Sequence, residues 1–232
     1  MLQFGTTAPT LNLLGLSSHC QDWAEAGYPD GVYWVRYSPD KDAIQMQCGM
    51  TWKRTYLAVR TMRSFHFYRN WSDYSNGFGD VSSDHWLGLK YWSELTNARC
   101  YSLFIEYVFL DASDYNHQFY THFVVSDQTL GFTFTFNITS YFEKPLGDCL
   151  TNLRGKPFST YDVDNDDDVT GNCAERHQSG WWMADCTGCN PTGNLLQPPD
   201  GIRTGQLSEV FWEGVVGNRT PQKVFMWLQR CW

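Results

Sequence analysis

Residues 161–186 read YDVDNDDDVTGNCAERHQSGWWMADC, and the fold is decided by how this stretch is read. It opens with five carboxylates in seven residues: Asp162, Asp164, Asp166, Asp167 and Asp168. Like charges at this density repel unless a cation neutralises them. Calcium does this well, because it takes about six to eight oxygen ligands from carboxylates, carbonyls and water. A bare acidic run is ordinarily a solvated loop. This one stops at Gly171 and Cys173, and Trp181, Trp182 and Cys186 follow. A loop pinned by a cysteine and backed by a Trp pair is an ordered one, which points to calcium. An EF-hand does not fit: Asp167 stands where the turn glycine belongs, and Cys173 where the bidentate Glu belongs.

The remaining composition narrows the class. The 232 residues suffice for one large domain or two small ones. Charged residues are 18% and aromatic residues 17%, the make-up of a chain with much to bury rather than a disordered one. A formal net charge of −8 argues against nucleic acid as a partner, since no basic stripe exists to displace counterions. No apolar run approaches the length of a membrane span, so no membrane insertion is expected. The eight cysteines, an even count, point to a secreted, disulfide-bonded protein. Zinc is the rival reading through Cys186-x-x-Cys189, but no second cysteine pair or His pair stands at finger spacing. Asn70, Asn137 and Asn218 each begin a glycosylation sequon, which fits secretion. Residues 1–19 lack the basic start of a signal peptide and read as a tail or linker.

Further along, the pattern is that of a sheet followed by loops. The turn at Tyr28-Pro-Asp-Gly leads into a β-rich run at 31–37, and further runs lie at 44–50 and 56–60. Cys20 and Cys48 flank the first two runs, so a bridge would close the pair. Ser82-Ser-Asp reads as a helix start or turn, and 91–96 as a short helix. Strands are expected at 101–110, 117–125 and 131–138, the last with Phe132, Phe134 and Phe136 on one face. Beyond Gly147 the chain turns to Gly, Pro, Asn, Asp and Cys, with a final strand at 223–228. A long irregular region inside a compact domain is usually functional and needs ties.

Several of these pieces together resemble the fibrinogen-like C-terminal domain of ficolins, tachylectins, angiopoietins, tenascins and the fibrinogen chains. FYRNW-x-x-Y-x-x-GFG stands at 67–79, WLGL at 86–89, FST-x-D-x-DND at 158–166, and NCA…GWW…C at 172–186. The resemblance covers 20–232. It implies an α+β domain with a central, mostly antiparallel twisted sheet, short helices and a loop-rich, calcium-binding C-terminal part. The sequence departs from the family where a Gly-rich segment is replaced by Trp-Lys-Arg-Thr-Tyr at 52–56, and again at Val215-Val-Gly-Asn.

The resemblance also implies particular residues. Asp164 and Asp166 supply carboxylate oxygens to calcium, with backbone carbonyls near Val169 and Gly171. One extra residue between the acidic run and Asn172 leaves open that Asp167 or Asp168 replaces a ligand. Cys20–Cys48 and Cys173–Cys186 are the implied bridges. Eight cysteines allow about 105 pairings; strand ends favour Cys100–Cys231, leaving Cys149–Cys189. A ligand pocket is expected beside the second bridge, lined by Arg176, His177, Asp185, Cys186 and Thr187, with a cis peptide at Asp185–Cys186. Arg176 there points to an acidic ligand such as a sialylated sugar. The Trp pair reads as core, with sugar stacking as the alternative.

Two functions follow. One is a lectin-like pattern-recognition module of innate immunity for acetylated or acidic glycans. The other is a module of the angiopoietin or tenascin type that binds a cell-surface receptor or matrix protein. A homo-oligomer assembled through segments upstream of Met1 is a further expectation. An enzyme is not expected: the six histidines are scattered, and no nucleophile elbow, P-loop or zinc-protease motif is present.

Overall fold

The computed structural model describes residues 19–140, 143–186, 188–198, 200–214 and 216–231. His19 closes the expected tail, yet it is buried and caps helix α1 (Cys20–Glu25), its Nδ1 accepting from the Gln21 N–H at 2.9 Å. Three strands follow: β1 (Gly31–Val35), β2 (Ile44–Gly49) and β3 (Arg54–Arg60). Helix α2 (Trp71–Asn76) is capped by Asn70, whose Oδ1 accepts from the Asp73 N–H at 2.8 Å. Two short strands, β4 (Phe78–Gly79) and β5 (His85–Trp86), come next. Residues 82–84 start no helix. Asp84, 1% exposed, turns inward and accepts from the N–H groups of Thr61 and Met62 at 2.9 Å. A buried carboxylate needs such donors, and they hold the segment as a turn.

Helix α3 (Leu89–Ala98) leads into β6 (Tyr101–Val108), β7 (Tyr115–Tyr120) and β8 (Val124–Val125). The alternating run at 131–138 yields only β9 (Phe134–Thr135) before β10 (Thr139–Ser140). Phe132 takes a left-handed φ of 54°, which bends the chain and ends strand pairing there. Phe132, Phe134 and Phe136 are nevertheless all buried, as the period of two predicts. The loop-rich part holds β11 (Phe158–Ser159), α4 (Cys173–Arg176), β12 (Trp181–Trp182), β13 (Cys189–Asn190) and β14 (Phe211–Trp212). The chain closes with β15 (Lys223–Arg230).

The main sheet runs β1-β2-β3-β15-β6-β7-β10, with β5 also on β3 and β4 on β5. Adjacent strands of this sheet pair antiparallel. The last strand therefore lies near the middle of the sheet. Its residues alternate between faces: Val224, Met226 and Leu228 enter the main core, while Trp227 joins Phe104 and Phe119 in a separate cluster on the other face.

The main core is aromatic, and it joins motifs far apart in sequence. The rings of Trp86 and Trp92 stack at 4.6 Å, and Trp182 meets Phe134 and Phe158 edge-on at 5.0 and 5.1 Å. Trp181 and Trp182 are fully buried, which makes them core and removes sugar stacking. The Tyr74 hydroxyl donates to the Phe67 carbonyl at 2.6 Å and accepts from the Gly180 N–H at 3.1 Å. A Cβ at Gly180 would lie 2.4 Å from the Tyr74 ring, so only glycine allows this approach.

Four disulfides staple the chain: Cys20–Cys48, Cys100–Cys231, Cys149–Cys189 and Cys173–Cys186. These are the pairs expected from the sequence. With every cysteine oxidised, no thiolate is left for zinc. No helix among the described residues is long and apolar enough to cross a membrane.

Candidate functional site

The acidic run folds as a series of tight turns anchored at both ends. Asp162 Oδ1 accepts from the Trp71 N–H at 2.9 Å, which ties the loop to the start of α2. Asn165 donates to the Phe158 carbonyl at 2.8 Å. Asn172 caps α4 through the Glu175 N–H at 2.9 Å and donates to the Thr160 carbonyl at 3.0 Å. These two asparagines shape the loop, and the charge pattern concealed them, because charge alone does not reveal a donor–acceptor bridge.

The five carboxylates then divide by partner. Asp167 pairs with Lys156 at 2.5 Å. Asp168 pairs with Arg176, and Thr170 first and then Arg176 hold its carboxyl below the usual range. Asp164 and Asp166 are neighbours with no ion-pair partner among the described residues: Asp164 Oδ1 accepts from the Asp166 N–H at 3.3 Å. Asp166 lies against the bridge, with Oδ2 accepting from the Cys173 N–H at 2.8 Å and Oδ1 from the Asp168 N–H at 2.9 Å. Burial, and then Asp164 beside it, push the Asp166 carboxyl above the usual range. Val169 and Gly171 follow on the exposed rim of the loop. Asp164 and Asp166 offer adjacent hard-oxygen donors of the kind that calcium takes. Asp168 also lies close to the sulfurs of Cys173 and Cys186, but bridged sulfur is no metal ligand.

The expected ligand residues are not brought to one pocket. His177 is 3% exposed, and its two ring nitrogens lie 2.8 and 2.9 Å from the carbonyls of Leu207 and Cys186. It is a buried cross-link between two loops rather than a pocket wall. Arg176 is engaged by Asp168, so its charge is already answered within the chain. The Asp185–Cys186 peptide is trans, since no peptide bond among the described residues is cis. The turn is made instead by Cys186 at a left-handed φ of 65°. Thr187 lies outside the described residues.

Asp185 opens on a different feature. A cleft of about 600 Å³ is lined by Asp148, Asp167, Asp185 and Glu213, beside Cys149 and Gly188. Asp167 is already paired with Lys156, and the other three carboxylates make it an acidic cleft, adjoining both the loop and a disulfide. Asp148 and Glu213 come from distant segments, and no sequence pattern linked them to the run. Of the sequons, Asn137 and Asn218 are exposed, while Asn70 is half-buried as the α2 cap.

The antiparallel sheet thus carries a disulfide-pinned, acid-rich loop region. The description "Fibrinogen beta and gamma chains, C-terminal globular domain" matches residues 16–226, and the chain belongs to this family. Bovine microfibril-associated glycoprotein 4 is 31% identical over 245 residues, covering 97% of this chain and 94% of its own. Mouse angiopoietin-related protein 1 is 32% identical over 170 residues, covering 70% of this chain, and the match spans only 33% of that relative. The fibrinogen-like globe domain of human ANGPTL6 superposes with a TM-score of 0.83 at 25% identity, covering 94% of this chain and 97% of that one. That of human ANGPTL2 superposes at 0.81 with 27% identity, covering 92% and 99%. The α+β architecture is thus the fibrinogen-like one, and the family is one of non-enzymatic recognition modules.

Proposed function

We propose that this chain is an extracellular recognition domain that binds a protein partner through a basic segment, at the acidic cleft beside a calcium-stiffened loop. The observation that carries this reading is the convergence of Asp148, Asp167, Asp185 and Glu213 on one cleft next to the acidic run. Complementary charge steers such a partner and fixes its register. Calcium at Asp164 and Asp166 relieves their repulsion and holds the loop that forms one wall. Four disulfides and the relatives' extracellular-type names support the compartment. The lectin-like alternative rests on Arg176, whose side chain stays 43% exposed beside the bridge.

The test is binding of labelled Lys/Arg-rich peptides and Glu-rich counterparts, with an acidic and acetylated glycan array run in parallel. Cationic peptides should bind, weaken with salt, and lose most affinity in a Asp185→Asn/Glu213→Gln variant. Equal binding of both peptide classes would overturn the protein reading. Glycan signal abolished by Arg176→Ala would favour the lectin one.

A further inference from the structure

The sheet face turned away from the main core carries an unassigned groove. Its floor is Phe104 and Trp227 on β6 and β15, whose rings stack at 5.3 Å, only 8° from parallel; Phe119 on β7 extends the ladder, 5.0 Å from Phe104. The Arg54 guanidinium continues the ladder, 4.1 Å from the Trp227 ring centroid. The space above measures about 580 Å³, within the range of small-ligand sites, and Trp52 and Tyr115 form part of its wall. Trp52 is 65% exposed, an unusual position for so large an apolar side chain. Trp52, Arg54 and Tyr56 belong to the 52–56 segment, one of the two places where the sequence departs from the fibrinogen-like pattern. The departure therefore supplies two of the lining residues, Trp52 and Arg54.

Polar groups stand around the rings: Arg54 Nη1 donates to the Tyr56 hydroxyl at 3.4 Å, and Lys144 Nζ to the Ser113 carbonyl at 2.7 Å. Glu106 lies 3.9 Å from Arg54, an ion pair too long for a hydrogen bond. Among the described residues, no hydrogen-bond partner meets the buried Arg54 Nε. Burial pushes the Glu106 carboxyl up, and burial together with Arg54 pushes the His117 imidazole down. Lys144 sits over the Tyr115 ring at 4.5 Å, and Glu143 and Gln229 complete the rim.

We propose that this groove binds a neutral saccharide, independently of the calcium loop. The charges balance, Arg54 and Lys144 against Glu106 and Glu143. A cationic ligand meets the two cations that already cover the Trp227 and Tyr115 faces. An anionic ligand meets two carboxylates. A purely apolar ligand leaves Arg54 and Glu106 dry and poorly paired, which costs binding energy. A pyranose presents C–H groups to the exposed Trp52 ring and hydroxyls that donate to Glu106 while accepting from Arg54. This matches the groove on every side.

The test is an array of neutral oligosaccharides of glucose, mannose, galactose and N-acetylglucosamine, probed with the whole chain in calcium and in chelator. Binding should persist in chelator. It should fall about tenfold in Trp52→Ala, the loss expected when an aromatic anchor is removed, and also fall in Glu106→Gln. Trp52 is exposed, so that variant should keep its melting temperature. Absence of neutral-glycan binding, or binding indifferent to both substitutions, would overturn the proposal. The acidic cleft is read separately, with cationic peptides and other variants, so each can fail alone.

Discussion

At the scale of single residues, His19 couples one buried ring to the stability of the whole domain. It caps α1, stacks on Tyr101 at 4.9 Å, and is 1% exposed. Desolvation first, and then Arg230 and Arg99, lower its pKa from 6.5 to about 3. The native state therefore favours the neutral ring, while the unfolded chain takes up a proton near 6.5. Stability from this residue is fully present above pH 6.5 and is lost as pH falls from 6.5 towards 3. At pH 4.5 the loss should be about 2–3 kcal/mol. Denaturant unfolding at pH 7 and 4.5 checks this: His19→Asn keeps a capping oxygen and should show a smaller difference between the two. An unchanged difference would mean that other groups carry the acid sensitivity.

At the scale of elements, the loop from β11 to β12 is held by its bridge, and the proposed calcium would hold it further. Cys173–Cys186 closes a separation of 13 residues, a size for which the chain-entropy model gives roughly 3 kcal/mol. The bridge also presents the Cys173 N–H to Asp166. Calcium well above its dissociation constant adds about 2.7 kcal/mol, or roughly 5–10 °C in a domain of this size. The rise should vanish in Asp164→Asn and shrink in Cys173→Ser/Cys186→Ser. Thermal scans in calcium and in chelator provide the measurement, and a wild-type melting point blind to calcium would remove the metal from the loop.

At the scale of the molecule, the sheet is completed by β15, which pairs with strands far earlier in the sequence. Strand β15 lies between β3 and β6 and carries Val224, Met226 and Leu228 into the core. Without it, two neighbours lose a ladder and the core loses a wall. A chain ending at Gln222 should show no cooperative thermal transition by circular dichroism. Retention of one would mean that the loop-rich part folds on its own. The long-range pairing of β15 also predicts slow folding.

Much of this was legible along the chain. Alternation placed Phe132, Phe134 and Phe136 inside, the cysteine count marked an oxidised domain, and the acidic run marked the loop that organises the C-terminal half. Those features are local: a side-chain period follows from backbone geometry, and like charges a few residues apart repel wherever the chain goes. Other features depended on distant partners. Lys156 and Arg176 divide the carboxylates, Leu207 makes His177 a cross-link, and Glu213 and Asp148 complete a cleft begun by Asp185. The groove beneath Trp52 exists only because β15 sets Trp227 between Arg54 and Phe104. Such meetings are decided by how strands cross and pack. A donor and an acceptor separated by many residues carry no periodic mark of each other until folding brings them within about 3 Å.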